Sequence, residues 1–246
     1  KKIKKYKNKI AAIVLEPDGV VPPKDGFLEE VRKLSDKNGI ILIFDEIVCG
    51  FRTSLGGASQ KFGIEPDLGC FGKAMANGYP LSAIVGKKHL METMEEIFVS
   101  GTFSGETLSM AAALATLKKI EEFDIAKKLC ILGKKLKFSS NQIINEFKLD
   151  NYVQFEGNDW WPRLVIKDTP IEYDYFNTLL REQFILNGLF LGSSYNLCIY
   201  HDDDQVFKNT LKSLKKAFYN INIIINSSNP LNFIKGRVIR PVFKVR

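Results

Sequence analysis

Apolar residues fall in short continuous runs near the start of the chain and at helical spacing further on. Residues 10–15 (IAAIVL) form an unbroken apolar run, the pattern of a strand buried on both faces. Leu28, Val31 and Leu34 then recur at helical spacing and predict a helix over 27–38, with Gly39 where a C-cap glycine belongs. Residues 40–44 (IILIF) predict a second buried strand, 68–71 (LGCF) a short third and 81–85 (LSAIV) a fourth. Strands separated by a helix or a long loop imply an α/β sheet with parallel pairing.

The pattern then changes. A helix of small residues is expected over 109–122, with AAALA at its centre, because small side chains let a helix lie close to its neighbour. A long amphipathic helix comes next over 125–147, then short strands near Val153 and Leu164 and a helix over 173–187. A further strand near Leu197 and a helix over 204–219 complete what reads as a smaller α/β domain. The expected boundary lies at 121–124, giving a first domain of 1–122 and a second of 123–226. Ser227, Ser228, Asn229 and Pro230 break structure before an extended tail that closes the segment 227–246. The sequence shows no internal repeat.

Composition narrows the function classes. Of 246 residues, 45% are hydrophobic and 26% charged, an ordinary globular mixture with room for one large domain or two smaller ones. No apolar run has the length of a bilayer span, and the opening KKIKKYKNK lacks the apolar centre of a signal peptide. The expectation is a cytoplasmic protein with no membrane partner. Cys49, Cys70, Cys130 and Cys198 are far apart, which suits small apolar residues in a reducing compartment better than a disulfide framework. With His89 and His201 the only histidines, a histidine-rich metal site is not expected. The net charge of +7 raises nucleic-acid binding, but six lysines crowd the first nine residues and most other bases alternate with acids. The charge therefore reads as solvated surface, with no nucleic-acid partner.

Open parallel sheets bind ligands at the carboxyl ends of their strands. Asp45 comes directly after IILIF, and Lys73 directly after LGCFG. An acid or a lysine there is usually a cap or plain surface. Lys73, however, is surrounded by Gly72, Ala74, Ala76 and Gly78, and a lysine joined to a bulky cofactor needs such room. On spacing alone the surface lysine and the cofactor lysine both stay open. His201 and the acids Asp202, Asp203 and Asp204 look like a metal cluster but precede a helix, where acids satisfy free amides, so a cap is expected. Gly56-Gly57 lacks the frame of a phosphate loop and reads as a flexible active-site loop. Trp160 and Trp161 read as packing in the second domain.

The ordered series LEP (15–17), IFDEIVCGFR (43–52), FGIEPDLGCFGKAMANGYP (62–80) and GTFSGETLS (101–109) resembles the class III aminotransferases. It is most similar to the branch that includes glutamate-1-semialdehyde aminomutase. The resemblance implies part of a fold-type-I large domain, mainly parallel sheet with helices, and after it a smaller α/β domain. It implies pyridoxal 5'-phosphate as cofactor, with Lys73 forming the internal aldimine. Asp45 matches the aspartate facing the pyridine nitrogen, and Ile47 the apolar residue packed on the ring. Thr102 matches the threonine that reaches the cofactor phosphate across a homodimer interface. Glu16 stands where some members place a glutamate near the substrate. At Glu106-Thr107 many relatives carry Asn-Pro instead.

The activity so implied is transfer of an amino group from a small-molecule donor to a keto or aldehyde acceptor. The tail GRVIRPVFKVR, similar to that of aminotransferases linked to surface polysaccharides, favours transfer over the aminomutase alternative. A non-catalytic remnant or partner without cofactor is the reading from another class. The family's own-subunit phosphate loop and its outer ring-stacking aromatic have no counterpart here. The chain is therefore expected to correspond to a C-terminal portion that is inactive alone.

Overall fold

Four strands pair side by side in the first half of the chain. The structure, a computed structural model, describes residues 2–6 and 8–240. Contacts divide the chain into two compact units, one up to Lys128 and one from Leu129 onward. The first contains α1 (Lys2–Lys5), β1 (Ala12–Leu15), α2 (Phe27–Asn38), β2 (Ile41–Asp45), α3 (Gly57–Phe62) and β3 (Leu68–Phe71). It continues with a 3-10 turn at Lys73–Ala76, β4 (Ala83–Gly86), α4 (Lys88–Met91) and α5 (Thr107–Glu122). The sheet order is β1-β2-β3-β4. The first three strands are parallel, with Leu15 opposite Phe44 and Asp45 opposite Cys70. β4 is antiparallel to β3, so the sheet is mainly parallel, as expected, with one antiparallel edge strand. The reason is the connection: residues 72–82 hold a single 3-10 turn, and a parallel return needs a crossover of a dozen or more residues.

One face of this sheet is packed. Leu42 and Phe44 point to α2 and are fully buried with Leu28, while Ile13, Leu15, Val31, Phe62 and Ile64 complete the cluster. The alternate residues of β2 are only half-buried, and Val14 on β1 is 63% exposed. The continuous apolar runs thus belong to strands covered on one face by the described residues, not on both. α2 ends as the sequence indicates, with Gly39 left-handed at φ 62° and its N–H returned to the Asp36 and Ser35 carbonyls.

The opposite end of the sheet is tied by a carboxylate. Asp67 accepts the Leu42 N–H at 2.7 Å and pairs with Arg32 at 3.0 Å and Lys87 at 2.6 Å. These three contacts join β2, α2 and the residue after β4 at one point. Burial disfavours the charge on Asp67, but the Leu42 amide, Lys87 and Arg32 together outweigh it and hold the carboxyl below its ordinary value.

The division between the units falls within α6 (Ile125–Glu146). The second unit continues with β5 (Val153–Glu156), β6 (Arg163–Ile166), α7 (Tyr173–Leu186) and α8 (Asp204–Ile225). β5 and β6 form an antiparallel pair with Phe155 opposite Leu164. α7 and α8 pack through Phe184 and Phe218, whose rings meet edge to face. Trp160 is fully buried, and the half-buried Trp161 donates its ring N–H to the Ser194 hydroxyl at 2.8 Å. Tyr195 lies buried on the Phe155 ring with its hydroxyl 2.8 Å from that of Ser140, and burial pushes its phenol well above the ordinary value. The strand expected near Leu197 is not formed: Ser194 makes one isolated bridge to Arg163, and a 3-10 turn starts at Ile199. Asp203 caps α8 by accepting the Gln205 and Val206 N–H groups, so the acidic run is a helix cap. α8 runs six residues past its expected end because Ile221 and Ile224 continue the buried face. In the tail, Glu182 accepts the N–H groups of Lys235 and Gly236, and residues 241–246 lie outside the described residues.

Asp67→Asn should cost about 2 kcal/mol near neutral pH, because two cations lose their partner while the Leu42 N–H keeps an acceptor. The sign is set by the depressed carboxyl. Its contribution is present above the unfolded-state value and lost as pH falls through the folded value. Urea unfolding of both proteins should therefore show a gap at neutral pH that closes in acid.

Candidate active site

The site is assembled from the segments that leave the carboxyl ends of β2 and β3. The parallel register of these strands puts Asp45 opposite Cys70, so both segments depart from the same end of the sheet. Asp45 is half-buried, and its carboxylate accepts the Ile47 N–H at 3.1 Å, which fixes its rotation. Burial and the charge on Asp45 raise the neighbouring Cys70 thiol above its ordinary value. The Ile47 side chain reaches the backbone before Lys73: a Cβ on Gly72 would lie 3.6 Å from Ile47 Cγ2. Asp45, Ile47 and the backbone of Lys73 are thus brought together.

Lys73 is exposed and makes no ion pair among the described residues. It has φ 40°, a left-handed conformation that costs a side-chain-bearing residue about 1–2 kcal/mol. Backbone strain of this kind persists only where the surroundings over-determine it. Those surroundings are visible. Met75 and Ala76, in the turn that Lys73 opens, are buried against Ala113 of α5, with Phe51, Phe71 and Leu81 around them. Ala76 is therefore small because a helix lies on it, a packing reason that the sequence does not separate from room for a cofactor.

Thr102 stands apart from this group. It is exposed in the turn 101–106, closed by Ser104 N–H to Gly101 O at 2.9 Å and Glu106 N–H to Phe103 O at 3.1 Å. The turn leads into α5, which Glu106 caps by accepting the Leu108 and Ser109 N–H groups. Glu16 is exposed beyond the end of β1, with its carboxylate folded over Gly19.

Sequence reasoning missed the residue between Asp45 and Ile47. Glu46 is 1% exposed, and its carboxylate accepts the N–H groups of Ala58 at 2.6 Å and Ser59 at 3.2 Å, with the Cys49 thiol at 3.6 Å. Burial raises its carboxyl above the ordinary value, against these three donors. Burial also raises the Cys49 thiol, and the charge on Glu46 adds to it. Gly57 has φ 67° and lies so close that any Cβ would fall on the Glu46 carboxylate. Gly57 is therefore a close approach of backbone to carboxylate, while Gly56 lies against Gln60 and donates its N–H to the Gln60 amide oxygen at 2.8 Å. The sequence carries no local signal for Glu46, because the glycine pair ten residues on gains its meaning only once the fold brings it back to Glu46.

The family model described as Aminotransferase class-III matches residues 1–148. A glutamate-1-semialdehyde 2,1-aminomutase of Methanococcus maripaludis is 35% identical over 237 residues, covering 88% of this chain and 54% of the relative. A 3-aminobutyryl-CoA aminotransferase of Cloacimonas acidaminovorans is 35% identical over 210 residues, covering 81% and 50%. The solved PLP internal aldimine form of the FumI protein of Sphingopyxis sp. MTA144 matches with a TM-score of 0.83 at 26% identity, covering 95% of this chain and 57% of that one. The chain thus spans about half the length of the curated relatives it matches. With the family model matched over more than half of its residues, the chain belongs to the class III aminotransferases.

Proposed function

We propose that the whole protein, to which this chain corresponds in part, transfers amino groups with pyridoxal 5'-phosphate held at Lys73, and the variants below are to be read in that whole protein. The observation that carries the reading is that an exposed lysine and a fixed carboxylate stand on segments leaving neighbouring parallel strand ends, with the Ile47 side chain against the backbone just before Lys73. This donor set fits the group: an aldehyde needs an amine, a pyridinium nitrogen needs a carboxylate, and a flat ring needs an apolar contact. When bound, pyridoxal phosphate supplies an electron sink for a substrate carbanion. Lys73 would hold the cofactor aldehyde through its amine, and the same amine would be the base that moves a proton at the substrate carbon. Asp45 keeps the ring nitrogen protonated through a charge-assisted hydrogen bond, and Ile47 packs on the ring.

The acceptor is a keto or aldehyde compound and the donor a small amine. A second reading, 2,1-aminomutase chemistry within one molecule, is favoured by the aminomutase relative at 35% identity. Rapid conversion of glutamate-1-semialdehyde with no added donor or acceptor would select it. The preference for transfer rests on the tail, whose last six residues lie outside the described ones. In this reading residues 1–122 are part of the cofactor-binding domain and 123–226 a small domain. The setting is cytoplasmic, which the four free cysteines suit, and no helix among the described residues is long and apolar enough to cross a membrane. The protein works as a homodimer, with the Thr102 hydroxyl serving the phosphate of the neighbouring subunit. Around Thr102 the exposed apolar side chains of Ile97, Phe98, Val99, Phe103, Leu108 and Leu114 support such an interface.

Borohydride reduction with pyridoxal phosphate and subsequent peptide mapping should place the label on Lys73; label elsewhere would sink the assignment. Asp45→Ala should lower turnover about a hundredfold, a loss of about 3 kcal/mol in the transition state, with its circular dichroism unchanged. The backbone gives an independent check. Lys73→Gly should be more stable than Lys73→Ala by about 1 kcal/mol, since only glycine relieves the left-handed strain; equal melting curves would contradict the geometry. Sedimentation equilibrium should give a dimer that Phe98→Asp with Leu114→Asp converts to monomer, and a monomer that holds cofactor and turns over would refute the dimeric site.

A further inference from the structure

Asp45 and Ile47 flank a residue whose every polar group is engaged elsewhere. The Glu46 N–H donates to Cys70 O at 2.9 Å, just beyond the β2–β3 ladder, and its carbonyl accepts the Gly50 N–H at 2.8 Å. Its two carboxylate oxygens divide the next stretch of chain between them: Oε2 takes the Ala58 N–H and Oε1 the Ser59 N–H. The start of α3 is thereby pinned to the residue after β2. The end of α3 is pinned as well, by Lys61 on the buried Asp18 at 2.7 Å, beyond β1. Gly57 and Gly50 are the two places where the chain passes Glu46 too closely for a side chain.

We infer that Glu46 is a positioning residue: by anchoring the start of α3 it sets the backbone of residues 45–47, and so the direction in which Asp45 and Ile47 face the cofactor. The inference rests on the reading of Asp45 and Ile47 as ring contacts. Its physical basis is that two amide donors and a thiol converge on one buried carboxylate. An amide side chain at 46 turns an NH2 toward one of those donors and leaves that N–H unpaired out of water. The start of α3 then keeps only one of its two ties to position 46, and the Ile47 N–H that orients Asp45 opens with it.

Glu46→Gln keeps the volume and removes one acceptor, while Gly57→Ala leaves Glu46 chemically intact and displaces its carboxylate. Amide hydrogen exchange should rise at least tenfold at Ile47 and over 54–59 in both variants, with α2 unchanged. With pyridoxal phosphate labelled with 15N in the ring, the nitrogen signal should be protonated in the wild type and shift toward the unprotonated form in both variants. Asp45→Asn should give the same ring signal without the change in exchange. Exchange that rises equally through α2 and β1, or a ring signal like the wild type's in whichever variant folds, would overturn the positioning role and leave the functional reading standing. A whole wild-type protein that takes up no pyridoxal phosphate would overturn the functional reading, and the positioning role with it.

Discussion

In a parallel ladder both strands end on the same side of the sheet, and the pairing of Asp45 with Cys70 therefore sets the separation between the segments that leave β2 and β3. That pairing sets Asp45 opposite Cys70, three residues before Lys73, although Asp45 and Lys73 are 28 apart in sequence. It is held by the burial of Leu42 and Phe44 against α2 and by Asp67 at the far end of the same strands. A shift of one residue in this register would turn Leu42 and Phe44 out of the core and carry Asp45 to the other face. The packing of one sheet face and the chemistry at its end are thus a single constraint.

The candidate site was legible where a residue type has few physical reasons to stand where it does. Gly39 closes α2 in the left-handed conformation, and Asp203 caps α8, both as their positions in the pattern indicated. Asp45 and Lys73 were singled out as candidates because strand ends in parallel sheets are where ligands bind. The covering of strands was less legible: an unbroken apolar run does not say how many layers lie on it, and β1 and β2 are packed on one face only by the described residues. The direction of β4 depended on the absence of a crossover helix, which spacing alone did not weigh. Leu197 is buried, but the strand expected around it is not formed.

Glu46 was hidden for a different reason. Next to Asp45 it looks like one more acid in a loop, and nothing local distinguishes a carboxylate bound for solvent from one bound for two amides twelve and thirteen residues away. Only the fold shows that α3 returns to it. The same holds for Lys73, whose left-handed backbone is a property of the α5 packing around Met75 and Ala76 and leaves no mark on the residue type.

The fit between Gly57 and Glu46 has a consequence for how this segment can vary. The space beside the glycine is already filled by another residue's carboxylate, so positions 46 and 57 share one volume. A methyl group gained at one must be matched by atoms given up at the other. Either substitution made singly leaves the chain with a clash or a void. Room given up at position 46 would relieve the clash but not the left-handed backbone at 57, so the glycine is required twice over.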